Sequence, residues 1–147
     1  MKVFVKPRIE VPYINFDTSW AVISIASTKE ELPKINENEH LVDVLRLVFA
    51  DSDDPNFIGD SEAFSEKDAL EILDFIFDKN IKDVDNLLIH CHAGVSRSPA
   101  VAAAIEKMLY NDDHKWFGVK SPNRLVYSTI LGVALDNGYW EPSQLKI

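Results

Sequence analysis

Leu87-Leu88-Ile89-His90-Cys91-His92-Ala93-Gly94-Val95-Ser96-Arg97-Ser98 holds the single cysteine of the chain, at the end of an apolar run, with an arginine six positions on. Leu87-Leu88-Ile89 reads as a short buried strand, and Pro99-Ala100-Val101-Ala102-Ala103-Ala104 as the opening of a helix. Cys91 then stands at a strand-to-helix turn, where successive backbone N–H groups and a helix N-terminus face one small space. Such a concavity binds anions and favours a thiolate. Arg97 adds a planar fork that grips two oxygens of a phosphate. A nucleophile and an oxyanion cradle from one loop suit phosphoryl transfer.

The loop resembles the signature of the cysteine-dependent protein tyrosine phosphatases, His-Cys-x5-Arg-Ser/Thr, matched by His90, Cys91, Arg97 and Ser98. Its interior, Ala93-Gly94-Val95-Ser96, is similar to the small dual-specificity branch. The resemblance implies a compact α/β domain whose phosphate loop joins a central strand to a helix. It also implies roles. Cys91 is the nucleophile, and Arg97 with the backbone of His92, Ala93, Gly94, Val95 and Ser96 holds the phosphate. Ser98 steadies the thiolate as it leaves phosphorus, and His90 orders the loop. The general acid of that family is an aspartate just past the strand before the central helix; alignment puts Asp51 first, Asp53 second and Asp54 third. Ser98 has a second reading as a cap of the following helix, and Ser96 reads as a loop hydroxyl. His92 occupies a variable position. Ser121-Pro122-Asn123 is reminiscent of a segment that braces the loop.

Composition agrees with such a chain. At 147 residues, 46% apolar and 27% charged, it is expected to form one domain, residues 1–147, with its own core. One cysteine excludes an internal disulfide and a cysteine-rich zinc site, and the chemistry needs no cofactor or metal. The opening residues show neither a cleavable leader nor a span, so no membrane partner is expected and a reducing cytoplasm suits the thiol. A net charge of −9 argues against a nucleic-acid backbone as ligand. Positive potential for phosphate must be local, from Arg97 and backbone dipoles, with His92 and Lys115 as candidates at the rim. The expected partner is a phosphorylated protein or peptide, bound by a monomer. Tyrosine-only and dual specificity both stay open. A binding module without turnover, and a phosphoinositide or RNA 5′-phosphatase, are the other readings.

Outward from the loop, Lys2–Lys6 alternates as a strand ended by Pro7, Trp20–Ala26 is β-branched and central, and Leu41–Phe49 is a third strand. Residues 28–40 read as a solvated connection. Ser65-Glu66-Lys67-Asp68 is a capping-box variant before a helix to about Lys79. A helix to Tyr110, a polar loop over 111–118 and a last helix from Pro122 to Leu135, closed at Asn137-Gly138, complete a mostly parallel α/β layer flanked by helices. The first forty residues add little to the resemblance.

Overall fold

A computed structural model describes residues 1–142. Four strands form one sheet: β1 (Lys2–Pro7), β2 (Trp20–Ala26), β3 (Leu41–Val48) and β4 (Asn86–Cys91). Their order is β1-β4-β2-β3, and every pairing is parallel. All four strands therefore finish at the same edge. Pro7, Ala26, Val48 and Cys91 lie at that edge, where open α/β sheets bind ligands.

The two inner strands are buried along their whole length, and their pleat sorts side chains into two cores. Ala21, Ile23, Ile25, Leu87 and Ile89 join the larger cluster, and Trp20, Val22 and Leu88 the smaller one. Helices α1 (Glu66–Leu73), α2 (Arg97–Tyr110) and α4 (Arg124–Asp136) supply the larger core with Ile72, Leu73, Ala100, Val101, Val126 and Ile130. The other face is covered without an α-helix. A 3-10 turn at Arg8–Tyr13 brings Val11, and the connection after β2 brings Ile35, which is 4% exposed. Residues 28–40 are thus more than a solvated connection. Buried Trp20 donates from Nε1 to Asn38 Oδ1 at 2.7 Å, and Asn38 Nδ2 donates to the Phe16 carbonyl at 2.8 Å. An indole N–H inside a core needs such a partner.

Ser65 caps α1 in a reciprocal box with Asp68, as its sequence suggests, and a π-helical turn, Asp74–Asp78, extends the helical stretch. The expected loop over 111–118 is instead interrupted by helix α3 (His114–Val119). Tertiary anchoring decides this: Trp116 is buried and donates from Nε1 to Glu106 Oε1 at 2.6 Å, while Phe117 packs edge-on to Tyr127. Lys115 turns to Glu106 at 3.3 Å rather than to the loop that follows Cys91. The last helix begins at Arg124, with Pro122 outside it and Asn123 as its cap. Among the described residues no helix is long and apolar enough to cross a membrane.

Candidate active site

Gly94 turns the loop between β4 and α2 at φ +70°, a conformation that side chains with a Cβ avoid. A Cβ there would also meet the Lys6 carbonyl carbon and the Pro7 nitrogen at 3.0 Å. Both neighbours are backbone, so neither can rotate away. The end of β1 thus abuts the loop, and the Arg8 N–H donates to the His92 carbonyl at 3.0 Å. On the opposite side, Ser121 N–H donates to the Val95 carbonyl at 3.1 Å and Asn123 N–H to the Ser96 carbonyl at 3.0 Å. The segment before α4 braces the loop through its main chain.

Cys91 is 3% exposed at the floor of this loop, and its Sγ lies 3.0 Å from Ser98 Oγ. Burial alone would push the thiol up. The Ser98 hydroxyl, the backbone N–H groups of Ser98 and Gly94, and the Arg97 charge outweigh it and bring the thiol below its ordinary range. Ser98 sits inside α2, fully buried, with its hydroxyl on the sulfur; the alternative reading as a helix cap fails.

Arg97 is 5% exposed. One terminal nitrogen, Nη1, donates to Ser27 Oγ and to the Phe49 carbonyl, each at 2.9 Å. Those anchors come from the ends of β2 and β3. They leave Nε and the second terminal nitrogen without a protein acceptor among the described residues. A planar fork held at one corner keeps its other donors pre-oriented.

His90 is fully buried, with Nε2 2.5 Å from Ser24 Oγ and Nδ1 3.4 Å from the Cys91 carbonyl. A carbonyl only accepts, so Nδ1 carries the hydrogen and Nε2 accepts from Ser24. Desolvation lowers the imidazole pKa to about 4, helped by the charges of Arg8 and Arg97 and opposed by the bond to the Cys91 carbonyl. The ring is a neutral strut. Because the folded pKa lies below the unfolded one, near 6.5, the unfolded chain binds more protons between these values. Stability from this group is complete above pH 6.5 and lost as pH falls through 4, about 3 kcal/mol over the window. Urea unfolding of wild type and His90→Asn between pH 7 and 4 checks this; parallel stability curves for the two proteins contradict it.

The three candidate aspartates separate. Asp51 Oδ1 accepts from Ser96 Oγ at 2.8 Å and from Asn123 Nδ2 at 2.9 Å, which puts it against the loop between β4 and α2. Asp53 Oδ1 accepts from the Arg124 N–H at 3.2 Å, at the start of α4, and Asp54 Oδ1 accepts from the Asn56 N–H at 2.9 Å inside its own turn. Asp51 is the one brought to the loop. Ser96, read as a simple loop hydroxyl, holds it there. Asn123 serves three segments at once: Oδ1 caps α4 at Val126, Nδ2 reaches Asp51 and Ser52, and its backbone N–H reaches Ser96. His92, Ala93 and Val95 are exposed on the loop.

Sequence reasoning missed Ser24, Ser27 and Arg8, all within the forty residues thought to add little. Parallel pairing was the signal: Ser24 pairs in register with His90, and Arg8 and Ser27, just beyond β1 and β2, must share an edge with Cys91.

No protein-family model matches the chain, and no curated protein sequence does so. Solved structures match over nearly its whole length. A human tyrosine phosphatase-like serine/threonine/tyrosine-interacting protein is 20% identical, with a TM-score of 0.60 over 93% of this chain and 92% of that one. PTPMT1, solved in complex with PI(5)P, is 13% identical, with a TM-score of 0.58 over 94% and 93%. OH1 from the Orf virus, a tyrosine phosphatase with triple substrate specificity, is 11% identical, with a TM-score of 0.52 over 91% and 82%. At these identities the likeness is one of fold, and that fold is the α/β fold of the dual-specificity phosphatases.

Proposed function

We propose that this chain, built on the dual-specificity phosphatase fold, hydrolyses phosphotyrosine in protein or peptide substrates through a cysteinyl-phosphate. The observation that carries the reading is the Cys91 sulfur, held below its ordinary pKa beneath a loop that ends in the tethered Arg97 fork.

In the first step the Cys91 thiolate attacks phosphorus, and the bond to the leaving oxygen breaks. Backbone N–H groups from His92 to Arg97 and the free guanidinium nitrogens take the equatorial oxygens, where negative charge spreads. The protein donors on Asp51 both use Oδ1, so Oδ2 is the oxygen that hands a proton to the leaving group. In the second step water attacks the phosphocysteine, Asp51 takes its proton, and the S–P bond breaks. The electron pair returns to sulfur, where the Ser98 hydroxyl donates to the re-formed thiolate.

Turnover of p-nitrophenyl phosphate, followed by a panel of phosphopeptides and soluble phosphoinositide headgroups, tests the reading. Faster release of phosphate from phosphotyrosine peptides than from headgroups is expected. Retention of phosphopeptides without turnover would leave a binding module instead. Asp51→Asn is expected to slow kcat for an alkyl or phenyl phosphate by about 10²–10³ while substrate binding persists, the usual scale for loss of a general acid. The defect should shrink for a leaving group that needs no proton. An equal loss for good and poor leaving groups would remove Asp51 from that role.

A further inference from the structure

Two cavities adjoin the phosphate loop on the β1 side, and they share Arg8 and His92. The smaller, about 250 Å³, has Arg97 and Ser27 in its wall; the larger, about 670 Å³, continues past Tyr13 and Ile9 to Lys34. In a chain of net charge −9, this flank places Arg8 in one cavity with Arg97, and Lys34 with Arg8 in the next. Arg8 is fixed in place. Its backbone N–H bonds the His92 carbonyl at 3.0 Å, and its Nε donates to the Glu31 carbonyl. Neither terminal nitrogen of Arg8, nor Nζ of Lys34, has a hydrogen-bonded or ion-paired acceptor among the described residues. Of the nearby carboxylates, Glu31 lines the smaller cavity and accepts from the Thr28 hydroxyl at 2.9 Å, Glu37 lines a neighbouring hollow with Lys34, and Glu10 pairs with Lys6 at 4.0 Å; none of them is ion-paired with Arg8 or Lys34. The charge of Arg8 is also felt at His90, directly behind the loop. Alongside, Ile9 is 79% and Tyr13 84% exposed, so large apolar groups project next to unpaired cations.

We propose that Arg8 and Lys34 form a second anion site beside the phosphate loop, selecting phosphopeptides that carry a further acidic group near the phosphorylated residue. This rests on the phosphopeptide reading above and goes beyond it by naming the substrate sequence class. The second group is a carboxylate or a second phosphate, since both accept from a guanidinium and an ammonium. Tyr13 and Ile9 offer apolar surface to the intervening peptide. A peptide is favoured over a lone headgroup because the larger cavity leads away from Arg97 along an apolar wall.

The test compares kcat/KM for phosphotyrosine peptides that differ only in flank: Asp/Glu, Asn/Gln, or a second phosphorylated residue. Affinity of Cys91→Ser for the same peptides reads the site where turnover is slow. Wild type should prefer an anionic flank by about tenfold, the scale of one charge-assisted hydrogen bond. Arg8→Gln should erase that preference, and Lys34→Glu, at an exposed position that folding tolerates, should invert it. The preference is a ratio within one enzyme, so losses common to both peptides cancel. The Asp/Glu and doubly phosphorylated arms tell a carboxylate from a phosphate. Equal rates and affinities for anionic and neutral flanks overturn the site even if p-nitrophenyl phosphate is hydrolysed. A flank preference in binding with no hydrolysis of any substrate overturns the phosphatase reading and keeps the site. A soluble inositol phosphate headgroup that outcompetes every peptide and depends on Arg8 overturns the choice of a peptide.

Discussion

Cys91→Ser is expected to lower kcat/KM for p-nitrophenyl phosphate by on the order of 10⁴-fold or more, with the loop still able to hold phosphate. A hydroxyl is a usable nucleophile only when a base takes its proton; Asp51 must enter the first step protonated for the leaving group, and among the described residues no other base bonds the side chain of residue 91. His90, adjacent in sequence, has Nδ1 committed to the Cys91 carbonyl and Nε2 to Ser24. The groups around the sulfur act by donating hydrogen bonds to an anion: Ser98 Oγ and the N–H groups of Ser98 and Gly94. That environment ionises a thiol and leaves an alcohol protonated. Serine is smaller than cysteine at a site 3% exposed, so the fold should persist, as a thermal melt would verify. Residual hydrolysis above about one per cent of wild type would mean that another group attacks phosphorus.

Arg97→Lys is expected to lower kcat by about 10²–10³ for every leaving group. Charge is conserved, so the loss isolates geometry. Arginine spends one terminal nitrogen on Ser27 and Phe49 and leaves the rest of its fork without a protein acceptor among the described residues, open to two oxygens of the proposed substrate. Lysine has one nitrogen for both tasks. If it turns to the Phe49 carbonyl, the transition state loses its donors; if it turns to phosphate, a buried carbonyl loses its partner. Ser27→Ala should show the smaller version, about tenfold, because the Phe49 carbonyl still anchors the fork. A lysine variant as fast as wild type would show that the backbone N–H groups suffice and that bidentate contact is dispensable.

The loop that bears Cys91 was legible because its requirements are local. A thiolate needs N–H donors and a helix start within a few residues, so Cys91, Gly94, Arg97 and Ser98 had to occur together in one stretch. Strands β2 and β4 were legible for a similar reason: burial on both faces demands a mostly apolar run, with Ser24 and His90 as mutually bonded polar exceptions. Helix α3 was not. Its six residues carry no amphipathic period, and its helicity depends on Trp116 reaching Glu106 of α2. The covering of the second sheet face was hidden as well, since isolated residues such as Val11 and Ile35 sit in polar stretches.

By itself the amino-acid order determined the mostly parallel α/β class and the turn that bears Cys91, while the family resemblance of that turn implied the short list of aspartates that could face it. Tertiary structure alone chose among Asp51, Asp53 and Asp54, because the choice depends on Ser96 and Asn123, 45 and 72 positions away in sequence. It alone also drew Arg8, Ser24 and Ser27 to the loop. The physical reason is that a parallel sheet brings the ends of all its strands to one edge, whatever their separation along the chain.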